Sequence, residues 1–132
     1  MSGISTGLVN KTAISIIRGR VTADANRTGV DVSKLEGRGT LDFDVEFVSG
    51  TSTYDATVEH SEDDSSYSAL IGPDGVAVAI TQVGVASSLQ QKPIDWSTCK
   101  KYLRVVDNVG AAGSPVYNVV VLAQGMKGSS SS

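Results

Sequence analysis

Residues Leu41–Val48, which read LDFDVEFV, alternate between apolar and acidic side chains as far as Phe47, and this pattern constrains the fold more than any other in the chain. The side chains on one side are Leu41, Phe43, Val45 and Phe47, and those on the other are Asp42, Asp44 and Glu46. A period of two residues is that of a β-strand, because successive side chains of a strand point to opposite faces. The segment therefore predicts a strand with one buried face and one solvated, acidic face.

The segment Tyr54–Ile71, which reads YDATVEHSEDDSSYSALI, predicts a β-hairpin. Apolar and polar residues alternate as far as Glu59, an acidic polar turn follows at Ser61–Ser66, and apolar spacing resumes at Tyr67. Two alternating runs separated by a short polar turn are typical of paired antiparallel strands. The sequence GPDG at 72–75 predicts a further turn that ends the hairpin.

The rest of the chain predicts more strands and no helix of useful length. Segments rich in β-branched residues predict strands at Thr12–Val21, Val76–Val85, Lys101–Val106 and Val116–Ala123. Val76–Val85 has few polar residues, so we expect it to be buried on both faces or packed on a neighbour. Thr22–Gly39 and Ser87–Thr98 are predicted as irregular connections.

About seven short strands with frequent turn signals are typical of a β-sandwich or barrel. We therefore expect an all-β fold, a single-domain antiparallel β-sandwich of jelly-roll or immunoglobulin-like topology. The length of 132 residues suits one domain. We place the sandwich at residues 12–124, between a flexible N-terminal arm at 1–11 and a flexible Ser-rich tail at 125–132.

Composition argues against several classes of protein. The formal net charge is −3 and the Lys and Arg residues are scattered, whereas a nucleic-acid binder concentrates basic residues on one face. No apolar run approaches the length of a membrane span, and the N-terminus lacks the order of a signal peptide. We therefore expect no nucleic-acid or membrane partner and synthesis in the cytoplasm. Cys99 is the one cysteine, so an intrachain disulfide is impossible.

His60 and the acidic run after it are the first candidates for chemistry. His60 is the one histidine and could act as a general base or a metal ligand, but a zinc site needs more His or Cys than the chain has. We expect an exposed histidine at the end of a strand. Glu62, Asp63 and Asp64 could supply carboxylates to calcium, but the loop lacks the Asp-x-Asp-x-Asp-Gly order of the helical calcium loop. We interpret it as a solvated turn.

Two further residues have a functional and a structural interpretation. Cys99 could be a nucleophile, but without a flanking motif we expect a buried small hydrophobic residue. Trp96 could stack on a sugar ring, or it could pack over a sheet edge, which is the more common role of a lone Trp in a loop. The sequence predicts no enzyme, no cofactor and no metal site.

Two segments together resemble the capsid decoration (cement, or head auxiliary) proteins of tailed bacteriophages. The first is TVEHSEDDSSYSAL at Thr57–Leu70, and the second is KKYLRVVDNVGAAGSPVYNVVVLAQG at Lys100–Gly125. The first joins a strand to a His-Ser step, an acidic pair and an aromatic residue, and the second joins a YLRV strand to a Gly-Ser-Pro hairpin and a Val-rich strand. The likeness covers roughly the C-terminal half, with a weaker match in the GVDV turn at Gly29–Val32.

The resemblance implies a non-enzymatic virion structural protein. Such a protein binds the outer surface of the capsid, contacts the major capsid protein and stabilises the contacts between its subunits. It implies a symmetric homo-oligomer, with a trimer favoured, located on the virion and in the host cytoplasm during assembly. It implies no cofactor.

The partner-binding residues that we predict are apolar side chains of the arm, the small-residue strand and the loop that carries the Trp. They are Ile4, Leu8, Val9, Val78, Ile80 and Trp96. Terminal arms can order on a neighbouring subunit by main-chain pairing, and oligomers bury side surfaces by symmetry. Asp42, Asp44 and Glu46 form a solvent face or, alternatively, an acidic docking surface for a basic partner.

Two other functions fit parts of the sequence. A carbohydrate-binding or adhesion β-sandwich would use Trp96 and the tyrosines as stacking platforms. A tail or head-completion component of the virion would differ from a decoration protein only in its location.

Overall fold

The computed structural model describes residues 11–110 and 112–127, and almost all of this part is β-structure. A short 3₁₀-helix at Trp96–Thr98 interrupts the strands. The strands are β1 (Lys11–Val21), β2 (Ala25–Asn26), β3 (Val30–Asp31), β4 (Leu35–Ser49), β5 (Tyr54–Ser61), β6 (Ser68–Ala69), β7 (Ser88–Asp95), β8 (Tyr102–Val109) and β9 (Val116–Lys127). No helix in the described ranges is long and apolar enough to cross a membrane.

The strands form two antiparallel sheets that pack face to face. The four-stranded sheet has the order β1-β9-β4-β7, and in the five-stranded sheet β8 pairs with β5, β5 pairs with β6, and β2 and β3 both pair with the other edge of β8. When β2 and β3 are counted as one interrupted strand, the chain has eight strands. Renumbered from 1 to 8 in chain order, these strands follow the order 1-8-3-6 in one sheet and 2-7-4-5 in the other. This alternation of strands between two sheets is the connectivity of a jelly roll. The predicted antiparallel sandwich is confirmed, and its topology is that of a jelly roll.

The alternation in β4 places its side chains as the sequence predicts. Leu41, Phe43 and Val45 are each at most 1% exposed and face the core between the sheets. Asp44 and Glu46 are exposed on the opposite face. The neighbouring strand β9 contributes its own inward face, so the centre of the four-stranded sheet packs on a continuous apolar layer.

The predicted hairpin is confirmed as β5 and β6. Glu59 pairs with Ala69 and His60 with Ser68 across an exposed turn. After β6 the chain leaves the sheet and returns at Val78, whose backbone amide donates to the Leu70 carbonyl at 2.9 Å. The pairing with β5 then continues, so residues 71–77 form an excursion inserted into one edge of the five-stranded sheet.

The predicted strand at Val76–Val85 is wrong as a regular strand. The segment pairs with β5 only through isolated bridges at Ala79 and Val83. One of its faces is buried, not two, because Val78 and Ile80 enter the core while Ala79 between them faces solvent. The GPDG turn precedes the segment, and Ile71 and Ala77 form an isolated bridge across this turn.

The predicted irregular connection at Ser87–Thr98 is also wrong. It contains β7, an edge strand that pairs with β4 from Arg38–Asp95 to Val45–Ser88. Ile94 is the buried residue of this strand, and the others are exposed or half-buried. Pro93 is compatible with an edge strand because one side of the backbone needs no ladder hydrogen bond there. The polar composition of an edge strand hid it from the apolar pattern.

The ends of the sandwich extend beyond the predicted domain limits of 12 and 124. β1 begins at Lys11 and β9 continues to Lys127, so these two neighbouring strands of the four-stranded sheet include residues that the sequence assigned to the arm or tail. The rest of the predicted arm and tail lies outside the described residues. The connection predicted at Thr22–Gly39 contains the short strands β2 and β3 and the start of β4.

Candidate interaction surface

Three of the residues that the sequence predicts as partner contacts lie in the core. Val78 is 6% exposed, Ile80 is 8% exposed and Trp96 is 4% exposed. A partner cannot reach these side chains in this fold, and the prediction is corrected because each side chain packs inward against the two sheets. The other predicted contacts, Ile4, Leu8 and Val9, lie outside the described residues.

Trp96 packs over the four-stranded sheet through a slot made by two glycines. Its indole nitrogen donates a hydrogen bond of 2.8 Å to the Gln124 carbonyl. A Cβ at Gly39 would lie 2.5 Å from the indole nitrogen, and a Cβ at Gly125 would lie 2.7 Å from the indole Cδ1. The ring therefore needs both glycines, and its role is packing over the sheet rather than stacking on a ligand.

Four of the five large exposed apolar side chains of the described residues lie in one segment of the chain. This segment is Ile71–Leu89, the crossover from the five-stranded to the four-stranded sheet, which we call the side wall. The exposed fractions are 47% for Ile71, 62% for Val76, 59% for Val85 and 79% for Leu89, with 41% for Val48 on the end of β4. Concentrated exposed apolar groups mark interaction sites more often than scattered ones do.

Hydrogen bonds fix the side wall to both sheets. The Gln90 side chain accepts from the Thr81 amide at 2.8 Å and donates to the Thr81 carbonyl at 2.9 Å, which links the two sheet edges. The Tyr117 hydroxyl donates to the Gly84 carbonyl at 2.9 Å, and the Ser87 hydroxyl accepts from the Phe47 amide at 3.1 Å. The buried Val78, Ile80 and Val83 side chains anchor the wall from beneath. The exposed apolar groups therefore stand on a rigid support.

The side wall has very little charge. Its one ionisable residue is Asp74, and the carboxylate of this residue accepts from the Val76 amide at 3.1 Å within the turn. The centres of protein–protein interfaces are depleted in charged residues in the same way. The segment itself is therefore poor in charge, although Lys92 lines the same cavity as Val76 and the Gln82 side chain donates to the Asp55 carboxylate.

An acidic face adjoins the side wall on the outside of the four-stranded sheet. It consists of Asp42, Asp44 and Glu46, and none of them forms a salt bridge within the described residues. Asp42 and Glu46 accept hydrogen bonds from amide side chains of neighbouring strands. Asp44 lies opposite Leu89 in the register of β4 and β7, so the acidic face and the side wall meet there.

The five-stranded sheet pairs its charged groups instead. The Asp107 carboxylate, in a residue 1% exposed, accepts from the Arg27 guanidinium and from the Tyr54 hydroxyl, both at 2.5 Å. Burial and the hydrogen bond to Asp107 raise the pKa of Tyr54 far above its ordinary value, so the hydroxyl keeps its proton and remains a donor. A buried carboxylate is tolerated when its oxygens are satisfied in this way.

A second cluster lies on the outer face of the same sheet. Arg104 donates from two nitrogens to one oxygen of Glu59, its cross-strand neighbour, at 2.9 and 2.7 Å. The guanidinium also stands 4.0 Å from the centre of the Tyr67 ring. Burial and a hydrogen bond to Asp64 raise the pKa of Tyr67 to about 12. We call these two clusters, around Asp107 and Arg104, the paired ladder.

His60 is buried, and the prediction of an exposed histidine is wrong. The residue is 9% exposed, and its Nδ1 accepts a hydrogen bond of 3.1 Å from the Lys100 amide, because the chain entering β8 lies against the ring. Burial, and then the nearby Lys100 charge, lower the pKa of His60 below its ordinary value. The imidazole is therefore held in its neutral form as an acceptor.

The acidic turn is stabilised by its own carboxylate. Asp63 accepts from the amides of Ser65 and Ser66, both at 2.9 Å, and from the Ser61 hydroxyl at 2.8 Å. These bonds, with the Ser66 amide first, lower the pKa of Asp63 to about 2. The turn is exposed to solvent as predicted. In the part of the chain that the structure describes, no three His, Cys, Asp or Glu side chains are grouped as metal ligands.

Cys99 is half-buried and packs against the core. Burial raises the pKa of its thiol to about 12. The thiolate, which is the reactive form, is therefore strongly disfavoured. This agrees with the predicted role of a small hydrophobic residue.

Fold and surface together define an all-β jelly-roll domain with one apolar side wall. No protein-family profile and no curated protein sequence matches the chain. Among solved structures it is similar to the SPBc2 prophage-derived protein YomS, with a TM-score of 0.49 and 10% identity over 86% of this chain and 92% of that one. It is also similar to the structure of infectious bursal disease virus, Gx strain, with a TM-score of 0.41 and 17% identity over 90% of this chain and 31% of that one. We draw no functional conclusion from either similarity.

Proposed function

We propose that this protein is a non-enzymatic virion structural protein that binds the outer surface of a phage capsid and stabilises contacts between major capsid protein subunits. The observation that carries the proposal is the position of the two segments that resemble decoration proteins. Residues Thr57–Ser61 of β5 lie in the first segment and β8 lies in the second, and these residues pair from Thr57–Val106 to Ser61–Tyr102. Part of the resemblance therefore falls on two strands that are neighbours in the five-stranded sheet.

The fold and the side wall support the same class of function. Jelly rolls are frequent in viral capsid domains and in lectins, but a fold alone does not assign a function. The side wall favours a protein partner because its exposed groups are aliphatic. A lectin stacks sugars on exposed aromatic rings, whereas Trp96 is 4% exposed and Tyr54 and Tyr117 are 0% exposed. The half-buried rings of Tyr67 and Tyr102 already contact the cationic groups of Arg104 and Lys101. The carbohydrate-binding alternative is therefore the weaker one.

The reactive residues support a role without catalysis. His60 is held neutral and buried as a hydrogen-bond acceptor, and Asp107 is paired with Arg27 and Tyr54. The Cys99 thiol is kept protonated by burial. Each of these groups has a structural task, and a catalytic site needs such groups to converge on a cleft that a substrate can enter.

The proposed partner is the major capsid protein, which the protein contacts on the virion surface. During assembly the protein is present in the host cytoplasm. A tail or head-completion component would have the same fold and surface but would bind at another position on the particle.

Sedimentation of purified protein with phage shells that lack it tests the proposal. We expect saturable binding to these shells. We also expect a rise in the temperature at which the shells disrupt, because a ligand that binds only the intact assembly stabilises it by mass action. Shells already carrying the protein are the control and should bind no more. Absence of saturable binding, or binding without any change in shell stability, would contradict the proposal.

A further inference from the structure

We propose that the outer face of the four-stranded sheet is a docking groove for an extended segment of a partner protein with basic residues two positions apart. The groove runs along β4, between β7 and β9, and has a volume of about 390 Å³. Leu89 forms its wall on the β7 side, and Val120 and Leu122 form its wall on the β9 side. Asp42 and Asp44 lie between the two walls, because they pair with residues of both neighbouring strands.

The lining of the groove indicates a Lys or Arg side chain as its occupant. Such a side chain joins an aliphatic stem to a cationic head. The stem can pack between Leu89 and Val120, which lie on either side of Asp44 in the register of the sheet, while the head reaches the carboxylates. A purely apolar partner would cover Asp44 without pairing its charge, which is unfavourable. A small cation would leave Leu89, which is 79% exposed, uncovered.

The two carboxylates of the groove are not neutralised by groups of the described residues. The side chain of Asp44 is exposed and has no ion pair or hydrogen-bond donor among these residues. Asp42 accepts hydrogen bonds from the side-chain amides of Gln91, at 2.9 Å, and of Gln124. Amide donors fix the position of a carboxylate but leave its charge unpaired. The groove therefore presents unpaired negative charge to a partner.

The basic residues near this face do not fill the groove. Arg18 lies on β1, which β9 separates from β4, so two strand spacings, roughly 10 Å, separate its backbone from that of β4. Arg38 forms an ion pair of 3.8 Å with Asp95. Lys92 pairs with Leu41, whose side chain faces the core, and lines the cavity of the side wall instead. A basic segment of a partner therefore supplies the charge that the described residues do not.

The spacing of the carboxylates sets the pattern expected in the partner. Asp42, Asp44 and Glu46 lie on one face of β4 at intervals of two residues, which is roughly 7 Å along a strand. An extended peptide has the same period, so basic side chains at alternate positions all face this row. Because β4 is paired on both sides, the face is already ordered, and the protein loses little conformational entropy on binding.

Titration of the isotope-labelled protein with a capped Ser-Lys-Ser-Lys-Ser peptide, followed by NMR, tests the inference. We expect saturable shifts of the amide signals of β4, β7 and β9. Asp44→Asn should weaken binding about two- to fivefold, which is the effect of one exposed ion pair. Leu89→Ser should also weaken it, because the stem loses one wall. Glu62→Gln makes the same change of charge as Asp44→Asn, in the exposed acidic turn, and should bind as the wild-type protein does.

A second peptide separates binding in the groove from simple attraction between opposite charges. It carries diaminopropionic acid in place of Lys, so it keeps the ammonium groups but lacks most of the aliphatic stem, and we expect it to bind more weakly. Equal binding of the two peptides, no saturable shifts with the Lys peptide, or equal affinities of Asp44→Asn and the wild-type protein would each overturn the inference. The natural segment, which we expect in the major capsid protein, rests on the proposed function. Neither peptide requires a capsid, so the two proposals fail independently.

Discussion

The side wall and the paired ladder differ in how they treat groups that are out of place in their surroundings. In the ladder, polar groups such as Asp107 and Arg104 are partly or fully withdrawn from water, and each has a hydrogen-bonding partner. In the wall, apolar groups such as Val85 and Leu89 are exposed, and no neighbour among residues 11–110 and 112–127 covers them. The ladder therefore contributes to the stability of the folded chain, whereas the exposed side chains of the wall contribute little to it.

Substitutions in the paired ladder should therefore affect stability much more than substitutions of exposed side chains in the side wall. Removing one member of a buried, hydrogen-bonded group leaves the others without partners, which is costly to the fold. Replacing an exposed aliphatic side chain changes the free energy of unfolding by about 0.5 kcal/mol or less. The stability of the fold and the proposed capsid binding should thus be separable by mutation in this protein.

The largest effect on stability is expected at Asp107. Asp107→Ala leaves the Arg27 guanidinium and the Tyr54 hydroxyl without their acceptor, so we expect the free energy of unfolding to fall by about 3–5 kcal/mol. Urea denaturation measures it. Asp44→Ala removes an exposed carboxylate without an ion pair and is the matched control. Equal, small losses in the two variants would break the distinction between paired and unpaired charges.

A smaller effect is expected at Arg104. Arg104→Met keeps the aliphatic stem but removes both bonds to Glu59 and the contact with the Tyr67 ring. We expect a loss of about 1 kcal/mol, since the pair is only partly buried and such contacts are individually modest. Arg18→Met, at an exposed site of β1, should change the same urea midpoint little. A loss at Arg18 as large as that at Arg104 would contradict the account.

The smallest effect concerns pH. The folded-state pKa of His60 is lowered by burial, so the unfolded chain takes up a proton first as the pH falls below about 6.5. The stability that neutral His60 contributes is present above that pH and is lost progressively below it. We expect the melting temperature to fall between pH 7.5 and 5.5, and His60→Gln to flatten the curve. Since His60 is the one histidine, an unchanged slope in the variant would show that the ring does not titrate as described.

Local patterns predicted the parts of the fold in which burial follows the sequence period. The alternation within Leu41–Val48, which holds as far as Phe47, and the hairpin at Tyr54–Ile71 need only their own residues to define which face is buried. β7 was missed because an edge strand is half solvated, so Gln90, Gln91 and Lys92 resemble a loop. No periodicity could have indicated that Gln90 would bind the Thr81 backbone.

The side wall and the paired ladder could not be predicted from local patterns, because both depend on contacts between residues that are far apart in the sequence. Val76, Val78 and Ile80 share one phase in the sequence, yet Val76 is exposed and the other two are buried, because the excursion at 71–77 leaves the sheet. The paired ladder was not predicted either, since Arg27 is 80 residues from Asp107 and Tyr54 is 53 residues from it. An inward-facing Asp in the VVDNV segment was the one local signal, but alone it does not indicate a partner.

Imaging of phage particles with and without this protein tests the central proposal most directly. The difference map should show density of the size of one jelly-roll domain, or of a symmetric cluster of them, on the outer surface of the capsid, over the joints between major capsid protein subunits. Density confined to the tail or the portal vertex would contradict a decoration role and favour a tail or head-completion component. Identical particles in the two samples would contradict a virion structural role altogether.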